Sequence, residues 1–586
     1  MSPLSPLHLP LAPLRLLPLP PMQLLAPIKA GMAAGVRDAA GAVGRLVRPS
    51  QRGIWSYPGR YYIEVRGVHG IGGEQVARRV ERAIEEHPRV RWARVNAPSE
   101  RVVVAVGKPP PSEQDLVARI ERAEGQEPVA PTEEFDEWAP EPRHPSGGAK
   151  EAQSLAVVAA DVVGLSVATA LRLTPWLKLP TEAAATLSII QNHPRLRRLA
   201  LAITRGQPTE AALPVLTALT QGLATRGGGL ALDLVQRAAL WREAEAEGRA
   251  WAAMEPQLVH GPQDVVAEPI VVERPGEPPK DTVERFAERS MAAGAAAGVL
   301  AAPFAGPRRG FAVAFSSVPK APGAGREGFA TSLGQFLALR GVLAMDRSSL
   351  RRLGQVDTVV LDEAALRGDR YEPIDLELLG GADPEPTAER LFDLFDPDEP
   401  LETRHDNGWV LGSLDRLELT GRTGQQTAAR LRRRGSERVL GLARGTTLQA
   451  VVGLAPQTVP GAEAVAAAAR RAGSRIVLAT DRPHPTGFTF ADAVVPAGHR
   501  LVASVRSLQA DGAVVLLLSG NRRALGAADC GVGVHRGGEP PAWGAHLLVG
   551  ADLESAGLIV DAVGVAARVD RESALLSAGG SAVGAV

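Results

Sequence analysis

The run Thr358-Val359-Val360-Leu361-Asp362 constrains this chain more than any other part of it. Four β-branched or apolar residues in succession leave no polar face for water, so the run predicts a strand buried on both sides of a parallel sheet. A carboxylate, Asp362, then emerges at the carboxyl end of that strand, where open α/β sheets place their functional groups. Farther on, 451–454, 465–471 and 475–481 read as strand, helix and strand, the alternation expected of an α/β domain.

Length alone suggests three or four folded units in 586 residues. Lys+Arg and Asp+Glu are both 65, so no bulk electrostatic signal points to nucleic acid. The only cysteine is Cys530, which excludes an intramolecular disulfide framework and any Cys-pair metal site within the chain. Residues 1–23 are Leu/Pro-rich, and their prolines forbid the continuous apolar helix of a signal peptide. Between 29 and 52 the charges are basic except Asp38, which suits a cytoplasmic segment near lipid head groups and equally a solvated tail. Residues 1–58 are read as a disordered basic leader.

From Tyr61 the pattern changes. Residues 61–68 alternate as a strand, 74–87 have helical periodicity, 90–95 and 101–106 read as strands, and 112–124 as a second helix. This β-α-β-β-α order predicts a small ferredoxin-like domain over 59–125. The Pro/Glu/Gly-rich stretch 126–150 is a linker. Apolar blocks follow at 155–173, 177–190, 211–223 and 229–240, then at 291–304 and 311–318. Most fall short of the ~20 apolar residues of a full bilayer crossing, so they read either as membrane hairpins (151–240 and 291–327) or as buried helices.

Two stretches carry a family resemblance. The ferredoxin-like domain resembles the heavy-metal-associated domain at the front of metal-pumping ATPases, but glycines, Gly70 and Gly73, stand where that family has its Cys-x-x-Cys pair. His69 alone makes no metal site. The passage from Leu339-Arg340-Gly341 through Leu350 to Asp362 resembles the P-type ATPase segment in which the fourth membrane helix leads into the phosphorylation domain. That resemblance implies a haloacid-dehalogenase-like fold and a family chemistry of ATP-driven cation transport with Mg²⁺, in which an aspartate at the place of Asp362 attacks the γ-phosphate.

The motif departs from the family just there. The family continues Asp-Lys-Thr-Gly-Thr, and this chain continues Asp362-Glu363-Ala364-Ala365-Leu366. A negative charge at Glu363 opposes an approaching triphosphate. Thr480 and Asp481 match the last two polar roles of the family's Thr-Gly-Asp if one position slips. The residues 516–521, ending Ser519-Gly520-Asn521, occupy the place of the family's Mg²⁺-binding aspartates without a carboxylate, and 524–534 resemble the turn that follows. Residues 369–444 are expected to be a reduced nucleotide-domain insert between 328–368 and 445–572. The acidic cluster Asp393, Asp396, Asp398 and Glu399 lies among prolines and reads as a solvated turn. Residues 241–290 are too short for the family's actuator domain. Pro319 and Pro322 resemble the family's ion-path proline, with Lys320 opposing a cation site, and 573–586 resemble the start of a further membrane helix.

The expected architecture is therefore multi-domain α/β plus membrane helices. The expected function is a catalytically degenerate P-type ATPase module in the cell membrane, with the lipid bilayer and an intact ATPase half or partner chain as its partners. Such a chain is one half of a tandem arrangement or a fragment. The rival readings are an active cation pump phosphorylated on Asp362 and a soluble multi-domain binding protein.

Overall fold

The computed structural model describes residues 52–69, 72–125, 228–268, 273–306, 321–420, 424–482 and 488–584. The chain divides into two compact units. The first comprises 1–51 and 152–238, of which 228–238 are described, and the second comprises 52–151 and 239–586. Residues 1–51 of the leader, the 126–150 linker, the apolar blocks at 155–173, 177–190, 211–223 and 311–318, and Pro319 lie outside the described residues.

The second unit opens with a four-stranded antiparallel sheet. Strands β1 (Ile54–Tyr57), β2 (Arg60–Glu64), β3 (Val90–Asn96) and β4 (Arg101–Val106) stand in the order β1-β2-β4-β3, with helices α1 (Gly73–Glu85) and α2 (Glu113–Glu124). The βαββα order is the expected one, and β1, which the sequence reading left in the leader, adds a hairpin partner to β2. Strand β4 is buried along its whole length because both its faces are covered. Val102, Val104 and Val106 join Val80 and Ile84 of α1 and Leu116 and Ile120 of α2 in one core, whereas Val103 turns with Tyr62 to a second.

That second core draws on α3 (Gly228–Leu258), α4 (Pro262–Val265) and α6 (Ala321–Ala338), while α5 (Thr282–Ala305), between α4 and α6 in the chain, adds no residue to it. Trp251 of α3 is fully buried and meets Trp55, Tyr62 and Trp543 at centroid distances of 6.1 Å each. The predicted apolar blocks 229–240 and 291–304 fall within α3 and α5. No helix among the described residues is long and apolar enough to cross a membrane. Within 241–290, α3 continues past Trp241 with Glu243, Glu247 and Glu255 all buried. Pro322 stands in the first turn of α6, where proline's missing N–H costs no helical hydrogen bond.

Beyond α6 the chain builds a seven-stranded sheet around the predicted strand. It consists of β5 (Leu343–Ala344), β6 (Thr358–Asp362), β12 (Arg475–Thr480), β13 (Ala493–Pro496), β14 (Val515–Ser519), β15 (Cys530–Val534) and β16 (Leu547–Val549), in the order β13-β12-β6-β14-β15-β16-β5. All neighbours are parallel except the β16–β5 pair. Strand β6 lies between β12 and β14 and is buried throughout, as its unbroken apolar run requires. Helix α7 (Ser348–Arg352) precedes β6 and the single turn α8 (Glu363–Leu366) follows it.

An antiparallel sheet is inserted after α8. Its strands β7 (Arg367–Leu378), β8 (Arg404–Asp406), β9 (Trp409–Ser413), β10 (Arg438–Arg444) and β11 (Thr447–Thr458) run in the order β7-β11-β10-β9-β8, with helices α9 (Pro384–Leu394) and α10 (Gln425–Arg434). Residues 451–454, expected as a strand of the α/β domain, belong to β11 of this insert, because β11 pairs antiparallel with both β7 and β10. Leu414, Leu417 and Leu419 fill one face against Leu431, Leu448 and Val451.

Helices α11 (Ala462–Ala472), α12 (Leu501–Ala510), α13 (Arg522–Ala527) and α14 (Glu554–Gly584) complete the fold. Residues 573–584, read as the start of a further membrane helix, form the C-terminal end of α14. Asp570, 4% exposed, anchors that helix to Arg326 of α6 at 2.8 Å.

Candidate active site

Strand β6 delivers Asp362 to the carboxyl edge of the parallel sheet, where the chain turns directly into α8. Asp362 is the cap of that turn: its Oδ1 accepts the Ala364 N–H at 3.2 Å. Its Oδ2 accepts the hydroxyl of Ser519, which ends the adjacent strand β14, at 2.5 Å. Burial pushes the Asp362 carboxyl above the usual range, against the lowering effect of these two hydrogen bonds, and the nearby negative charges of Asp481 and Glu363 push in the same direction as burial.

Ser519 is itself fixed, since its hydroxyl oxygen accepts the Asn521 N–H at 2.9 Å. Asn521 caps α13 by accepting the Ala524 N–H at 3.1 Å and donates its amide to the carbonyl of Gly498 at the same distance. The 516–521 stretch thus does face Asp362, and it presents a hydroxyl and an amide there.

Glu363, whose negative charge is expected to oppose an approaching triphosphate, is enclosed by donors. Its side chain is buried, one oxygen accepting the Thr480 hydroxyl and the other the Arg367 guanidinium. Burial alone would make that carboxylate unstable as an anion, and the two donors offset the loss of water. Thr480 Oγ1 also accepts the Arg482 N–H at 3.0 Å, which leaves its hydroxyl hydrogen for Glu363. Arg482 continues the network to Glu437 at 2.9 Å and to the carbonyl of Gly435 at 3.0 Å, and Arg367 reaches the same Glu437 at 3.4 Å. Burial, with the like charge of Arg367 next, pulls the Arg482 pKa below its ordinary value. Arg536 clamps the backbone of α8, donating to the carbonyls of Ala364 at 3.2 Å, Ala365 at 3.1 Å and Arg367.

These groups line an open cavity of about 440 Å³ whose walls include Asp362, Glu363, Arg367, Thr480, Asp481 and Asn521. The three predicted positions Asp362, Thr480 and Asp481 are therefore brought together. Asp481 is exposed, with Oδ2 close to the backbone of Gly498. Arg367, Arg482 and Arg536 escaped sequence reasoning, and Ser519 entered it only as the place of a missing carboxylate. Only Arg367 carried a local signal, four residues after Glu363 on the turn that follows the strand.

The other predicted elements lie apart from this cavity. In the front domain His69 Nε2 stands 3.4 Å from Glu100. A Cβ at Gly73 would lie 2.2 Å from the carbonyl oxygen of Val68, so the backbone there has no room for a side chain, cysteine included. The acidic cluster at Asp393, Asp396, Asp398 and Glu399 is matched to arginines: Asp398 to Arg370 and Asp396 to Arg404, each at 2.6 Å. No group of three or more His, Cys, Asp or Glu suited to a metal ion occurs among the described residues. For Mg²⁺ with a nucleotide the cavity is a poor match. Both Asp362 oxygens are already engaged by donors, and the strand end opposite offers Ser519 and Asn521 where a hard cation favours carboxylate oxygens.

No family model matches the chain. Among curated proteins it is 28% identical over 492 residues to "Probable cation-transporting ATPase I" of Mycobacterium leprae, covering 72% of this chain and 29% of that protein. The like-named protein of Mycobacterium tuberculosis is 29% identical over 464 residues, covering 69% and 27% respectively. Solved structures with a similar arrangement include a zinc-transporting PIB-type ATPase in the E2.Pi state, at TM-score 0.44 and 12% identity over 74% of this chain and 94% of that one. A second structure of a zinc-transporting PIB-type ATPase, in a different state, gives TM-score 0.45 at 12% identity over 71% and 91%. Neither likeness is strong enough to transfer a residue role. On the sequence relationship, this chain spans 27–29% of the length of the curated relatives it matches, and those relatives are proteins named as probable cation-transporting ATPases.

Proposed function

We propose that the chain is a P-type ATPase module that has lost phosphoryl transfer and serves as a scaffold or regulator beside an intact ATPase half or partner chain at a membrane. The observation that carries this reading is the closure of the site on itself. Asp362 is buried and hydrogen-bonded by Ser519, and Glu363 ties up both Thr480 and Arg367. Phosphoryl transfer depends on donors and metal ions aimed at the charge that develops on the transferred group. Here those donors are already satisfied by carboxylates of the chain.

Attachment to a bilayer rests on family and on surface character. Helix α5 leaves Val299, Leu300 and Phe304 exposed at 73%, 71% and 92%, and α14 leaves Leu575 and Leu576 exposed at 72% and 75%. Large apolar groups left in the open mark surfaces that contact lipid or protein.

A second reading, an active cation pump using Asp362 as nucleophile, is favoured by one observation: Asp362 lines an open cavity of about 440 Å³. Phosphate release from ATP and Mg²⁺ by the purified full chain separates the two. The pseudoenzyme reading expects no release beyond that of Asp362→Asn, whereas release abolished in Asp362→Asn establishes the pump.

A further inference from the structure

Glu363 occupies its surroundings in the manner of a bound anion. The side chain is 5% exposed, and each carboxylate oxygen has its own donor, a hydroxyl from Thr480 and a guanidinium from Arg367. A planar guanidinium joined by a directed hydroxyl is a donor set suited to a carboxylate or phosphate oxygen pair. The hydroxyl is directed because Thr480 Oγ1 already accepts the Arg482 N–H.

Among the groups bonded directly around it, two guanidinium groups and one carboxylate remain when Glu363 is taken away. Arg367 and Arg482 both reach a single carboxylate, Glu437, so without Glu363 two guanidinium groups share one anion. Asp362, Asp481, Glu539 and Arg536 also face the cavity. Arg536 is tied to backbone carbonyls, Asp362 already has both oxygens hydrogen-bonded, and Asp481 and Glu539 stand in solvent, so none of the carboxylates competes for the Thr480 and Arg367 donors.

We propose that Thr480 and Arg367 form an oxyanion subsite for a free phosphate-like anion, and that Glu363 is a tethered anion which keeps it filled. This deepens the reading of the chain as a module without phosphoryl transfer and rests on it. Tethering makes occupation intramolecular, so a dissolved anion must compete with a ligand that never leaves. The substitution that adds a negative charge after Asp362 thereby acts as a plug, and its effect on an incoming phosphate is displacement more than long-range repulsion.

The test is chemical rescue in the full chain, read as the thermal midpoint in inorganic phosphate against chloride at equal ionic strength. Wild type should unfold at the same temperature in both salts. Glu363→Ala should be destabilised in chloride and regain midpoint selectively and saturably as phosphate is added. The rescue should vanish in the double variants with Thr480→Val or Arg367→Ala. If Glu363→Ala does not fold, Glu363→Ser carries the same comparison. Equal response of the variant to phosphate and chloride overturns the subsite, as does a phosphate response in wild type as large as in the variant. Either failure leaves the absence of phosphoryl transfer standing, whereas an acyl-phosphate on wild-type Asp362 removes the reading on which the subsite rests.

Discussion

The carboxylate of Glu255, with none of its surface exposed, is gripped by the guanidinium of Arg60, 195 residues earlier, through Nε at 2.6 Å and Nη2 at 2.7 Å. The Tyr62 hydroxyl donates to the same carboxylate at 2.6 Å. This contact fastens the front domain's sheet to α3. Removing one partner of a buried ion pair leaves the other desolvated and unpaired, at a cost of about 3–5 kcal/mol. Glu255→Ala should lose about 3 kcal/mol of stability in urea unfolding, the lower end of that range, because Arg60 keeps partial access to water. Protease sensitivity in residues 52–125 should rise with it.

Trp251 extends the same attachment by packing between aromatic rings of the front domain and Trp543. Its truncation opens a large hole in a core that joins the four-stranded front sheet to the seven-stranded one. Trp251→Ala should destabilise by about 3–5 kcal/mol, measured as a fall in the unfolding midpoint, and Trp251→Phe by distinctly less.

A pH dependence follows from Glu243. Its side chain is buried against α6 so closely that a Cβ at Gly334 would lie 2.1 Å from Oε1. Burial raises its pKa from 4.5 to about 8. Arg347 and Arg351 lower it, and Glu247 and Glu327 raise it further. The folded chain therefore holds a proton that the unfolded chain has lost, so stability is greatest below 4.5 and declines as pH rises towards about 8. Glu243→Gln should flatten that decline in urea midpoints taken across the interval. An unchanged slope would remove Glu243 as its source.

Gly73 sets a limit on restoring a metal site to the front domain. Because a Cβ there would meet the Val68 carbonyl at 2.2 Å, Gly73→Cys must displace backbone. Overpacking of this kind costs typically about 1–3 kcal/mol. Gly73→Ala should show the same loss in thermal unfolding, which separates the backbone clash from any thiol chemistry.

How far the sequence revealed all this depended on whether the signal was local. Strand β6 was legible because a continuous apolar run has one comfortable environment, and Asp362 followed from its position at the strand's end. The βαββα order of the front domain was legible from alternation and helical periodicity. What escaped was long-range. Nothing near Glu363 foretold Thr480, which is 117 residues away, so the residue read as a bare repelling charge when it is ion-paired to Arg367 and hydrogen-bonded by Thr480. Ser519 was noticed only as the absence of a carboxylate, and its hydrogen bond to Asp362 required β14 to lie beside β6. Strand β11 was assigned to the wrong sheet, since an apolar run does not state which neighbours it pairs with. The buried glutamates of α3 were overlooked for a similar reason, their partners Arg60 and Arg347 belonging to other elements.

The central claim is that Asp362 accepts no phosphoryl group. Intact-protein mass spectrometry of the full chain, quenched in acid after incubation with ATP and Mg²⁺, reads this directly, with Asp362→Asn as the control. The account predicts a single unmodified mass for both proteins. A phosphoryl adduct on wild type that is labile to hydroxylamine and absent from Asp362→Asn would contradict it.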